Sequence, residues 1–386
     1  MSSSFPSSAS SLHPSSSSSS SSFLASKPMR PVVLVSYPDP FAAEEAKSLV
    51  ESADRSIAGM FTQKYLNHSR YGVGSGKAEE IKEFVKESKA EQIVVDEHLT
   101  SRQIYNLEKL AGVQVIDRER LILDIFYSRA TSTEAKLQIE LAEIEYEMPR
   151  VRENAKLTSG GERAGKGGMG EYVVDVRFRD LKRRMSFIKE KLKNAQRKRE
   201  LYHQQRVRIG TPVVSLVGYT SSGKTTLFNL LTGEHKQTSS NLFTTLSTTT
   251  RSLRIHNEHE VLLTDTVGFI SRLPTYMIDA FKSTLEESLA ADLILLLIDV
   301  SEGLREIRIK YTACRSVLEE LKADRSKVLV VFTKYDSLAN PEETTRQIAE
   351  DLGIPNPVAI SSKSGYGISK LRTMIGQHQY VISASK

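Results

Sequence analysis

The chain has 386 residues, 39% hydrophobic and 26% charged, with a net charge of +6 and a pI near 9.1. That length allows two or three domains. One cysteine, Cys314, excludes an intramolecular disulfide, and no apolar run approaches the roughly 20 residues of a membrane-spanning helix.

Residues 1–30 are mostly serine and carry no acidic residue. Such a segment cannot bury enough apolar area to offset chain entropy, so it reads as a disordered tail, with an organellar transit peptide as the alternative. Order should begin near Pro31. Val32–Val35, Ile93–Val95 and Val113–Ile116 read as short strands, and Ala42–Ser52 and Lys77–Glu87 as helices between them. Strands alternating with helices predict a small α/β unit with a parallel sheet over 31–130. Gly72-Val73-Gly74-Ser75-Gly76-Lys77 resembles a phosphate loop, but it follows no clear strand and lacks a hydroxyl residue after the lysine, so it reads as a tight turn.

From 131 to 209 the pattern predicts an antiparallel helical hairpin. Leu121–Arg129 and Glu134–Glu147 are helical in texture, and Thr131 with Glu134 forms a capping-box pattern. Leu137, Leu141, Ile144 and Met148 share one face. Pro149 should disturb the register, and Leu157–Gly170 should be a mobile Gly-rich loop. A long helix from Val174 to Gln205 carries Phe178, Leu181, Met185, Ile188 and Leu192 as a heptad seam. The first arm is acidic, with Glu134, Glu140, Glu143, Glu145 and Glu147. The second holds Arg177, Arg179, Lys182, Arg183, Arg184, Lys189, Lys191, Lys193, Arg197, Lys198 and Arg199. Pairing between the arms would use some of this charge. The excess suits a phosphate-bearing partner.

Residues 210–380 read as a second α/β unit. Its strands are Val213–Val217, Val261–Thr264, Leu293–Asp299, Val328–Phe332 and Val358–Ile360. Its helices are Lys224–Leu231, Ile278–Leu289, Leu304–Leu321 and Pro341–Asp351. Gly218-Tyr219-Thr220-Ser221-Ser222-Gly223-Lys224-Thr225, followed by Thr226, matches the phosphate-binding loop pattern between a strand and a helix. Backbone N–H groups and the helix N-terminus would hold the phosphates, with Lys224 on the β- and γ-phosphates and Thr225 on Mg2+. Asp265-Thr266-Val267-Gly268 ends the next strand. Asp265 would bind the metal through water, and the Gly268 N–H the γ-phosphate. Among Phe243, Thr244 and Thr245, Thr245 is the chosen metal-ligating residue and Thr244 the rival. Thr333-Lys334-Tyr335-Asp336 places Asp336 on guanine N1 and N2 and Lys334 over the ring. Thr333 stands where an asparagine is usual, as in Rho-type GTPases. Ser361-Ser362-Lys363 fits the last loop, with the Ser362 N–H at guanine O6. Lys224, Thr245 and Gly268 are the candidate catalytic groups for hydrolysis of GTP to GDP. Phe269 occupies the position of the Ras-type glutamine, which predicts slow turnover without a partner.

Asp265 to Ile270 with Leu273-Pro274, then Ala280-Phe281, Thr284 to Glu287, and Leu242 to Leu246 form one set of family-like segments. Outside that region stand Gly74 to Lys77 with Glu79 to Ile81, Leu121 to Phe126, and Lys136 to Gln138 with Glu140-Leu141. In these segments the chain resembles the HflX family of ribosome-associated GTPases. The resemblance implies a compact, archaeal-type layout and binding to rRNA of the large ribosomal subunit through the N-terminal unit and hairpin, in ribosome splitting or rescue. A GTPase switch on a non-ribosomal partner is the alternative. Ser221 stands where the family usually has asparagine, which puts potassium stimulation in doubt. A monomer in the cytoplasm is expected, with an organelle left open by the Ser-rich start.

Overall fold

The computed structural model describes residues 29–159, 168–209, 211–234, 242–243, 248–255 and 260–384. Nearly all of the Ser-rich tail, Gly160–Gly167 within the Gly-rich stretch, and both Thr244 and Thr245 lie outside those residues. The fold is mixed α/β with two sheets joined by a helical hairpin.

The N-terminal unit runs β1 (Arg30–Ser36), α1 (Pro40–Ser52), β2 (Arg55–Thr62), α2 (Ser75–Ser88), β3 (Gln92–Val95), α3 (Ser101–Ala111), β4 (Gln114–Asp117) and α4 (Arg118–Arg129). Its sheet is parallel in the order β2-β1-β3-β4. β1 and β3 are buried on both faces, which explains their unbroken apolar runs. β2 has no sequence signature: it is a half-buried edge strand interrupted by Gly59, where a Cβ would lie 2.3 Å from the Phe84 ring. Local chemistry starts the helices. Asp39 accepts from the Ala42 N–H at 3.1 Å ahead of Pro40, and Thr100 with Gln103 forms a full capping box for α3.

The hairpin is α5 (Thr133–Ser159) and α6 (Gly168–Ile209). Two expectations are corrected here. Ser132, not Thr131, caps α5, its Oγ accepting from Ala135 N at 3.1 Å. Pro149 lies inside α5, on an exposed position of the helix. The segments 157–159 and 168–170, expected in a loop, are helical. Ile188 and Leu192 are buried, with Leu181 and Met185 packed beside them.

The second unit runs β5 (Val213–Gly218), α7 (Lys224–Thr232), β6 (Thr249–Arg254), β7 (Glu260–Asp265), α8 (Thr275–Leu289), β8 (Leu293–Asp299), α9 (Leu304–Glu320), β9 (Val328–Thr333), α10 (Pro341–Leu352), β10 (Val358–Ala359) and α11 (Ile368–Ala384). The sheet order is β10-β9-β8-β5-β7-β6, with β6 antiparallel to β7. β6 and α11 have no counterpart in the sequence reading. β6 is a largely exposed edge strand, and a short polar stretch gives little periodicity to read.

The two units share one core. Phe126 of α4 packs edge-on against Phe243 at 4.8 Å and Phe281 of α8 at 5.0 Å. The helix that closes the first unit is therefore seated on the second.

Candidate functional site

The phosphate loop links β5 to α7. Gly218 has φ 152°, and a Cβ there would meet the Leu297 carbonyl oxygen at 2.5 Å, so only glycine lets the chain leave the sheet here. Ser221 is left-handed at φ 61°, a conformation asparagine adopts more readily than serine. Thr220 Oγ1 and Ser222 Oγ are buried without a hydrogen-bond partner among the described residues.

Lys224 is buried, and its ammonium donates to the carbonyls of Gly218 at 3.0 Å and Tyr219 at 2.7 Å. Burial pushes its pKa down to about 8, against the opposing pull of Asp265. Thr225 Oγ1 donates to Asp265 Oδ2 at 3.1 Å, and both residues are buried. Two hard oxygen donors this close, at the foot of a phosphate loop, suit a small divalent cation such as magnesium. Thr226 is exposed on the same helix.

The segment after β7 lies against the phosphate loop. Thr266 Oγ1 donates to the Leu216 carbonyl at 2.7 Å, and Val267 is buried. Gly268 has no room for a Cβ, which would lie 2.8 Å from Thr220 Cγ2 and 3.0 Å from Lys224 Nζ. Phe269 is a staple: its N–H donates to Gly218 O at 3.0 Å, its carbonyl accepts from Thr220 N at 2.8 Å, and its ring is buried. Phe243 turns its ring into the Phe126 cluster.

The remaining motifs gather at the ends of β9 and β10. Thr333 Oγ1 donates to Ser222 O at 2.9 Å and to Ile298 O at 3.2 Å, which ties this strand end to the phosphate loop. Lys334 is left-handed at φ 58° and pairs with Asp299. Tyr335 begins a single 3-10 turn that leaves Asp336 exposed. Ser361 is fully buried, and its Oγ accepts from Lys363 N at 3.2 Å and Ser364 N at 3.0 Å. Ser362 is half-buried beside it.

A second set of groups was invisible in the motifs. The Glu45 carboxylate of α1 accepts from the Tyr219 hydroxyl, the Ser271 hydroxyl and Arg118 Nη2, the last at 2.6 Å. Arg118 also binds Asp96 at 2.5 Å and the Ser271 carbonyl at 3.0 Å. Arg272, left-handed at φ 50°, reaches Asp96 at 2.8 Å and lies over the Tyr37 ring. Burial would raise the Glu45 pKa, but Arg118 and the two hydroxyls outweigh it and hold the carboxyl below its usual range. This network joins the first unit to the phosphate loop and to the residues after Asp265–Gly268. Its members are up to 226 residues apart, so no local spacing announces them.

Three family descriptions cover consecutive parts of the chain: a GTP-binding GTPase N-terminal region over residues 42–127, a GTP-binding GTPase middle region over 129–206, and a 50S ribosome-binding GTPase over 213–334. The chain is 41% identical to the GTPase HflX of Thermococcus kodakarensis over 328 residues, covering 83% of this chain and 74% of that one. It is 38% identical to the GTPase HflX of Escherichia coli over 330 residues, covering 85% and 76%. A GTP-binding protein from the archaeon Sulfolobus solfataricus, solved in complex with GDP, is similar over 92% of this chain and 100% of its own, at 26% identity and a TM-score of 0.50.

Proposed function

Because the chain belongs to the HflX family of GTPases, hydrolases acting on GTP, we propose that it is a magnesium-dependent GTP switch that acts on the large ribosomal subunit in splitting or rescue. Lys224 and the N–H groups of Gly218–Thr225 hold the β- and γ-phosphates. Thr225 and, through a water, Asp265 would hold a magnesium ion, with Thr245 completing its shell; the ion would supply positive charge to the phosphates. Water displaces GDP from the γ-phosphorus, with Lys224 and the loop N–H groups holding the phosphate oxygens. Asp336 accepts from guanine N1 and N2, Lys334 covers the base, and Ser362 donates to O6. Phe269 carries no polar side-chain atom and its ring is buried, so orientation of the water falls to backbone groups or to the partner.

The observation that carries the ribosomal reading is the charge left over on the hairpin. Each of the five first-arm acids is engaged: Glu134 with Arg199, Glu140 with Arg184, Glu143 with Arg120, Glu145 with Lys189 and Glu147 with Arg177. Lys191, Lys193, Arg197 and Lys198 stay exposed with no ion pair among the described residues. No helix among the described residues is long and apolar enough to cross a membrane, and we place the protein in the cytoplasm. Co-sedimentation with ribosomal subunits in GTP, GDP or a non-hydrolysable analogue tests the proposal. Binding should favour the GTP-like state and weaken steeply with salt. Binding that is absent or salt-insensitive would favour a non-ribosomal partner, and ATP outcompeting GTP would sink the nucleotide assignment.

A further inference from the structure

The two base-reading segments leave different strands, Thr333–Asp336 from β9 and Ser361–Lys363 from β10. To read one base they must keep a fixed spacing. Thr333 is spent on the phosphate loop, through Ser222, and makes no bond to the other base-reading segment among the described residues. The two strands are paired up to Ile360 N, which donates to Phe332 O at 2.8 Å; beyond that last rung the segments are linked by two tyrosines. Tyr335 N donates to Ile360 O at 3.2 Å, and the Tyr335 ring lies on the Tyr366 ring with centroids 4.4 Å apart and planes 7° from parallel. The Tyr366 carbonyl in turn accepts from Ser361 N at 2.9 Å. Tyr366 is therefore bonded into one segment through its backbone and stacked on the other through its ring.

The backbone is built to present that ring. Tyr366 stands between Gly365 at φ 81° and Gly367 at φ 71°, and a Cβ on Gly367 would lie 2.1 Å from the Ala359 carbonyl oxygen. Two left-handed glycines cost chain entropy on folding. They turn the chain so that a ring which remains half exposed meets Tyr335 and not the apolar core.

We propose that the Tyr335–Tyr366 stack is a clamp that holds the two base-reading segments as one unit and sets how long a guanine nucleotide stays bound. The clamp rests on the GTP-site reading above. Tyr366 is a positioning residue that acts through Tyr335 and Ser361. Its loss should speed nucleotide release while leaving the phosphate groups that carry the chemistry in place.

The test measures release of fluorescent GDP, KM, kcat and thermal midpoint for the full chain and for Tyr366→Ala, Tyr366→Leu and Tyr366→Phe. Aromatic pairing of this kind predicts about 3- to 10-fold faster release for the alanine and leucine variants. KM should rise in step, kcat should stay within about twofold, and preference for GTP over ATP should hold. Tyr366→Phe, which keeps the stack, should behave as the parent. Leucine fills similar space without a π face, so it remains informative if the alanine variant folds poorly. Unchanged release in the leucine variant, or a phenylalanine variant as fast as leucine, overturns the clamp. A parent chain that binds no guanine nucleotide overturns the clamp together with the proposed function.

Discussion

Lys224 keeps its ammonium between two carbonyls, Gly218 and Tyr219, in a buried place that depresses its pKa to about 8. A phosphate brought beside it would favour the charged form and raise that pKa. The sign follows: at pH below about 7 the lysine is already protonated and binding takes up no proton. Near pH 8 to 9 binding must draw one in, so affinity falls as pH rises through the free-state value. Calorimetry of GDP binding in buffers of different ionisation enthalpy should show proton uptake at pH 8.5 and none at pH 6.5. Asp336 gives a second residue-scale prediction. Asp336→Asn offers the base an amide donor in place of one acceptor, so it should lose GTP by at least tenfold and bind xanthosine triphosphate better than GTP in a competition assay. Both residues were legible in the sequence, because a strand followed by a short pattern fixes backbone groups within one turn of chain. Ser271 and Arg272 were not legible in this way. They follow Asp265–Gly268 closely, yet their partners Glu45, Asp96 and Arg118 lie in the first unit.

At the scale of elements, α1 and α4 form the surface on which the nucleotide unit rests. Glu45 on α1 is one of two carboxylates that neutralise the fully buried Arg118. Glu45→Ala leaves that guanidinium with Asp96 as its one remaining carboxylate, beside the Ser271 carbonyl, and removes the acceptor of the Ser271 and Tyr219 hydroxyls. The expected cost is on the order of 3 kcal/mol, read as a fall in the urea midpoint. Glu44→Ala next to it, whose exposed carboxylate pairs with Lys47, should leave the midpoint where it was. Phe126 on α4 meets both Phe243 and Phe281. Phe126→Ala should cost about 3–5 kcal/mol and loosen Leu242 and Phe243, which hydrogen exchange would register as faster exchange at those two amides. Elements with strong local patterns, such as β1 and β8, were read with nearly the observed bounds, whereas α6 was read from Val174 to Gln205 and runs from Gly168 to Ile209. β2 and β6 were missed because each is an edge strand, half wet and weakly patterned.

For the whole molecule the hairpin joins the two sheets and faces outward with its basic arm. α5 spends its acids on α6 and α4, so Lys191, Lys193, Arg197 and Lys198 remain exposed without an ion pair among the described residues. Phe187 stands near these residues, half exposed, under Arg184 and Lys191. Replacing the four basic residues by alanine should weaken ribosome binding uniformly. It should also lower the slope of log affinity against log salt by about 3, as four phosphate contacts are lost. GTP affinity, measured on the free protein, should not change.

By itself the sequence determined the fold class and picked out the Gly218–Thr225 loop, the Asp265–Gly268 segment and the strand ends at Thr333–Asp336 and Ser361–Lys363, since each pattern lies within a few positions of chain. Tertiary structure alone decided that the first unit docks on Tyr219, Ser271 and Arg272, that Phe269 staples the phosphate loop, and that Tyr335 stacks on Tyr366. Those contacts join residues from 31 to 226 positions apart. Hydrophobic burial brings such residues together without regard to chain distance, so no local period records them.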